Sequence, residues 1–166
     1  MTLAVLGLLL GVASVQGSAE PMISSTACAG ADAVGGSAAS RVRAMRCLVA
    51  AARRDGGRRP LKLDPRLTRS AAAKARDIAR CARFDHDPCA HGWAVGIRRA
   101  RYRRVAENLA FAQGATPRQV ITEWLASPEH RKNLLSLDFR ATGLARRMAV
   151  LPAIGAVELW VQQFGG

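Results

Sequence analysis

Two histidines and a glutamate, His86, Glu107 and His130, are the side chains of this sequence best suited to chemistry. Neutral imidazoles are common ligands of a divalent ion such as zinc. A carboxylate beside them would complete a three-ligand site with one position left open. Without metal, a carboxylate against an imidazole orients it as a general base. Either use requires convergence, because the three stand in separate segments. The plainer readings are a surface-loop histidine at position 86, a helix-start histidine bonded to backbone at 130, and a glutamate that closes a turn before Asn108. His91, in a glycine-containing loop, reads as surface. Ser127 and His130 stand at i, i+3, but no acid or oxyanion donors accompany them, so a serine nucleophile is not supported.

The elements that must carry these residues are visible in the periodicity. A first helix is expected from about Ser40 to Arg54. Val42, Met45, Leu48, Val49 and Ala52 form its apolar stripe, with Arg41, Arg43, Arg46 and Arg53 on the other face. Ser40 would cap it and Asp55-Gly56-Gly57 would end it. A second helix should run from Asp64 to Arg83, with Asp64 as cap, Pro65 in the first position and Leu67, Ala71, Ala75, Ile78 and Ala82 facing inward. Phe84 to Arg104 reads as irregular. A third helix fits Thr116 to Ala126, and Ser127-Pro128-Glu129 opens a short fourth one through Leu135. Ala141–Val150 and Ala156–Phe164 read as an antiparallel pair. Trp124 and Phe111 lie on apolar faces and are assigned to the core. The whole is α+β.

The 166 residues suffice for one domain with a substantial core, and 49% apolar content excludes disorder throughout. Residues Leu3 to Val15 form an apolar run too short to span a bilayer comfortably, followed by Gly17, Ser18 and Ala19. This is the pattern of a cleaved secretory signal over residues 1–19. Residues 20–40 form a lead-in rich in Gly, Ser and Ala, and residues 41–166 form the domain. Four cysteines in an exported chain imply two disulfides, with three connectivities available. We expect Cys28–Cys47, tying the lead-in to the first helix, and Cys81–Cys89, closing a short loop around His86. The alternatives are Cys28 or Cys47 reaching across to the second helix, as in a Cys47–Cys81 bridge.

The formal net charge is +13, and Lys62, Lys74 and Lys132 are the only lysines. So arginine-rich a chain reflects composition bias and solubility, or an anionic partner. Arg98-Arg99-Ala100-Arg101-Tyr102-Arg103-Arg104 is the densest basic run. A solvated face is its default reading; salt-sensitive adhesion to lipid headgroups or an acidic wall polymer is the functional one. Nucleic acid is not expected of an exported chain, and a lone Tyr102 is a thin stacking platform.

Three clusters carry a resemblance: Arg83-Phe84-Asp85-His86, Ala106-Glu107-Asn108-Leu109-Ala110, and Trp124 through Leu135, which contains Ser127-Pro128-Glu129-His130-Arg131-Lys132-Asn133. In order and spacing they resemble the bacterial short form of the CAP superfamily, the group of cysteine-rich secretory proteins, antigen 5 and pathogenesis-related 1. Cys47-Leu48-Val49 with Arg53, Asp64-Pro65, Thr142-Gly143-Leu144-Ala145 and Val161-Gln162-Gln163-Phe164 extend the resemblance over about residues 41–166. It implies an α-β-α sandwich with a small antiparallel sheet and a cleft holding two histidines and two acids. His86, Glu107 and His130 match three of these. The fourth departs: Ser127 stands where better-known members have glutamate, and neighbouring Glu129 and Glu123 do not match it. Ala50 departs too, from a usual asparagine. The cleft set is therefore His86, Glu107, Asn108, Ser127, Glu129 and His130, with zinc or another divalent ion on His86, Glu107 and His130.

The leading functional expectation is a secreted, monomeric binding or interaction module at the cell envelope or outside it, its cleft taking a divalent metal or a small apolar ligand such as a lipid. A metal-assisted hydrolase of peptidase type and a cationic adhesion protein with a vestigial cleft are the competing readings.

Overall fold

The computed structural model describes residues 28–92, 97 and 100–166. The signal expected at 1–19, the first part of the lead-in, and Arg98 and Arg99 of the basic run lie outside them. The elements are α1 (Ala38–Asp55), β1 (Lys62–Leu63), α2 (Pro65–Cys81), β2 (Val105–Ala112), α3 (Pro117–Ala126), α4 (Pro128–Leu135), β3 (Ala141–Leu151) and β4 (Gly155–Gly165).

Local chemistry sets most of the helix ends. The Asp64 carboxylate accepts from the amides of Arg66 and Leu67, and Pro65 sits in the first turn, as the sequence predicts. Thr116 and Gln119 form a reciprocal capping box at the start of α3. Three ends differ from expectation. Ser37, not Ser40, caps α1, because the Ser37 side chain accepts from the Ser40 amide and draws Ala38 and Ala39 into the helix. Ala82 adopts a left-handed conformation, φ 51°, and stops α2 at Cys81, before Arg83. Ser127 occupies the cap position of α4, but its side chain makes no capping bond.

The sheet order is β1-β3-β4-β2, with β1 parallel to β3 and the other pairs antiparallel. The hairpin expected from the sequence is present, running from Ala141↔Gly165 to Leu151↔Gly155. Strands β1 and β2 were not foreseen; β2 begins directly after the stretch read as irregular. Successive strand residues face opposite sides, which divides the core in two. Leu144, Trp160 and Phe164 pack with Met45 and Leu48 of α1, Trp124 of α3 and Leu134 of α4. Ala145, Leu159 and Val161 pack with Ala71, Ala75 and Ile78 of α2 on the other side. The result is an α-β-α sandwich. At Gly143 the α2 backbone rests directly on β3: a Cβ there would lie 2.1 Å from the Leu67 carbonyl carbon.

Both disulfides pair as expected, Cys28 with Cys47 and Cys81 with Cys89. The described part of the lead-in is stitched to the body rather than loose. Besides Cys28, the Arg118 amide donates to the Ala31 carbonyl, and the Arg118 guanidinium pairs with Asp32. Arg41 and Arg53 overturn their assignment to the solvent face of α1, since each is only 2% exposed. Arg41 makes a two-pronged pair with Glu158 at 3.0 and 2.9 Å and donates to the carbonyls of Ala33, Val34 and Ala115. Arg53 donates to those of Arg59, Leu134 and Ser136. A buried guanidinium is tolerated because carbonyls and a carboxylate fill its fork. Phe111 also departs from its core assignment: it is 39% exposed and packs edge-on against Phe84 at 4.8 Å between centroids. Trp124 is buried, with its indole N–H on the Leu109 carbonyl.

Candidate functional site

The site is built around the edge strand β2. Glu107 lies opposite Gln163 in the β2–β4 ladder, and the Gln163 amide donates to Glu107 Oε2 at 2.7 Å. The other oxygen, Oε1, lies 2.9 Å from His86 Nδ1 and 3.8 Å from the Lys74 ammonium. The Glu107 side chain is 1% exposed and that of Lys74 10%, whereas that of His86 is 52% exposed. Lys74 also donates to the His86 backbone carbonyl. A buried carboxylate with both oxygens engaged thus holds one edge of a half-exposed imidazole.

The loop that carries His86 is braced on both sides. Cys81–Cys89 closes it against the end of α2. Inside it, Asp85 accepts from the Asp87 amide, and Asp87 accepts from the amides of His91 and Gly92. His91 is exposed on the surface, as expected.

Asn108, next along β2, points to the opposite side of the sheet and meets α4. Its amide donates to the His130 carbonyl at 3.1 Å, and its oxygen accepts from Asn133 at 2.9 Å. The start of α4 is thereby fixed over the strand edge, with the His130 ring tilted against Trp124 at 6.5 Å. Glu129 is exposed in the first turn of α4. Ser127 is the junction of two helices: its amide donates to Glu123 and its carbonyl accepts from the Arg131 amide.

Electrostatics separate the two histidines. The hydrogen bond to Glu107 raises the His86 pKa above the ordinary histidine value, against partial burial and the Lys74 charge. Burial lowers the pKa of His130, helped by the charge on His86 and opposed by Glu129. At neutral pH the arrangement offers one imidazole biased toward its charged form and one biased toward its neutral form.

A three-ligand metal centre does not fit these partners. Among the described residues no group of three or more His, Cys, Asp and Glu is placed to hold a metal ion. Glu107 already accepts from Gln163 and contacts His86 and Lys74, so it fits the role of orienting His86 rather than binding a cation. Lys74, Asn133 and Gln163 were missed as site residues. Lys74 carried a signal: a lone lysine on the inner side of a helix whose other bases are all arginine. Gln163 was visible only as a polar residue in a closing strand.

Of the basic run, Arg101 and Arg103 are exposed, and Arg104 pairs with Asp138. Tyr102 is no stacking platform, since its hydroxyl donates to Asp64 at 2.8 Å.

Comparison with known proteins places the fold. The model of the CAP family, described as the cysteine-rich secretory protein family, matches residues 47–164. The uncharacterised protein YkwD of Bacillus subtilis strain 168 is 34% identical over 125 residues, covering 72% of this chain and 44% of YkwD. The chain therefore spans less than half the length of that relative. An outer surface protein of Borrelia burgdorferi shares the fold with a TM-score of 0.66 at 18% identity, over 78% of this chain and 95% of that one. An extracellular SCP-domain protein of Bacillus anthracis strain Ames gives 0.61 at 21% identity, over 79% and 44%.

Proposed function

Since the chain belongs to the cysteine-rich secretory protein (CAP) family, we propose that it is an exported binding module of the cell envelope or extracellular space that recognises a small ligand through His86. The observation that carries this reading is the engagement of Glu107. Gln163, His86 and Lys74 take up both of its oxygens, so its charge holds His86 in place instead of facing a substrate. The half-exposed His86 ring, held through Nδ1, leaves its other nitrogen to serve as the hydrogen-bonding group for a ligand. Among the described residues its side chain bonds to Glu107 and to no hydroxyl or thiol, so no side-chain nucleophile stands beside the pair.

Export is supported by the apolar leader, by two disulfides in a small domain and by the extracellular and outer-surface relatives. No helix among the described residues is long and apolar enough to cross a membrane.

Native mass spectrometry and elemental analysis of the oxidised protein, paired with a peptide-hydrolysis screen, test the proposal. The expected result is a bound small molecule that is lost in His86→Ala, with no turnover. Turnover that disappears in His86→Ala or His130→Ala would establish a hydrolase instead. A stoichiometric divalent ion would restore the metal reading.

A further inference from the structure

Helix α4 has a second face. Asn133 and Leu134 turn toward β2 and the core and the His130 ring lies against Trp124, whereas Arg131, Lys132 and the half-buried Leu135 border a surface opening. With Pro128, Leu137 and Arg58 they line an open cavity of about 620 Å³, within the size range of ligand sites. Arg58 is held there by its Nε donating to the Leu135 carbonyl at 3.0 Å. Asp138 also lines the cavity, but its carboxylate is paired with Arg104. Among the described residues no hydrogen bond or ion pair engages the side chains of Arg131 and Lys132. Three cations thus surround one concavity whose remaining wall is apolar except for Ser136 and the paired Asp138.

We propose that this cavity binds a phosphodiester-linked anionic polymer of the envelope. Two guanidiniums and an ammonium around one opening suit a chain of phosphodiesters, each offering two non-bridging oxygens to the forks and the ammonium. The apolar wall of Leu135, Leu137 and Pro128 suits the carbon backbone between successive charges. The cavity is wide open, so an extended chain can run past all three cations, and the vesicle arm of the experiment separates that chain from the headgroups of a bilayer. The site is separate from the His86–Glu107 pair, but placing the polymer in the envelope rests on the export reading. The binding measurement stands or falls without it.

The test is calorimetric titration of the full oxidised protein with soluble poly(glycerol phosphate), at low and at moderate salt. Arg131→Gln/Lys132→Gln is compared with Arg69→Gln/Arg76→Gln, which removes equal charge from exposed positions on α2, across the sheet. The first variant should bind roughly tenfold more weakly, given the usual worth of hydrogen bonds to charged groups, and the second should stay within about twofold of wild type. If the double variant at α4 does not fold, Lys132→Gln alone, at an exposed position, serves in its place. Equal weakening in both variants would reduce the effect to net charge and overturn the site. So would an Arg131/Lys132 effect seen only on phosphatidylglycerol vesicles and absent with the soluble polymer.

Discussion

Glu107 and Glu158 are both 5% exposed, both lie in the sheet, and both are surrounded by bases, yet the two regions do opposite things. Glu158 is gripped by Arg41 and by Arg146 at 2.8 Å, with the Arg41 guanidinium also near the Trp160 ring at 5.8 Å. Its bases are permanently charged. They fasten α1 and the lead-in carbonyls of Ala33 and Val34 to β4. Glu107 has an amide, a lysine and a half-exposed histidine. One partner of this carboxylate can change charge and can be reached from outside. Burial of an acid is thus not a functional signal in itself; the nature of its partners is.

Three measurements break or sharpen the contrast. The largest effect is expected at the fastening. Arg41→Met strands a buried carboxylate, and urea unfolding of the oxidised protein should register a loss of about 3–5 kcal/mol, the usual cost of removing one member of a buried pair. A loss below about 1 kcal/mol would show that Arg146 alone satisfies Glu158. Glu107→Gln comes next. It keeps the shape but removes the charge, so about 1–3 kcal/mol is expected. In the same variant, NMR titration should show the His86 pKa falling back toward the ordinary value. An unmoved His86 would mean that the bond to Glu107 does not control its charge.

The smallest effect is in the pH dependence. The His86 pKa is raised, so its contribution is fully present below the unfolded value of 6.5 and is lost as pH rises through the folded value. That of His130 is lowered, so the folded state resists its protonation and stability falls as pH drops below 6.5 toward the folded value. Between about pH 5 and 8 the two contributions peak together near the ordinary histidine pKa. His86→Ala should flatten the alkaline side and, by removing a charge that helps lower the His130 pKa, make the acid side shallower without abolishing it. An alkaline decline that survives in His86→Ala would place its origin elsewhere.

Much of this fold was readable because its signals are local. Asp64-Pro65 and Thr116-Pro117 announce helix starts within four residues, and the β3–β4 hairpin shows its apolar runs on either side of a short turn. Cys81–Cys89 was the shorter-range of the two bridges expected. What stayed hidden depends on partners far along the chain. Arg41 and Arg53 look like solvent-face arginines until Glu158, 117 residues away from Arg41, and the carbonyls after α4 are in place. Strand β2 was obscured because Glu107 and Asn108 interrupt its alternation, each bonded to an element on a different side of the sheet. For the same reason Lys74 and Gln163 had no visible role: nothing near them in sequence tells of a carboxylate from another strand.

The close contact at Gly143 couples fold and site in a way that side-chain chemistry alone does not. Helix α2 bears Lys74 along its length and passes at its end into the loop that presents His86. Its backbone touches β3 where there is no side chain to act as a spacer. A single methyl at that point would lift the near end of the helix, and a rigid rod displaced at one end carries the displacement along its length. Gly143→Ala, one strand pairing away from Glu107 through Gln163, would therefore act as a mechanical adjustment of the distance between His86 and Glu107.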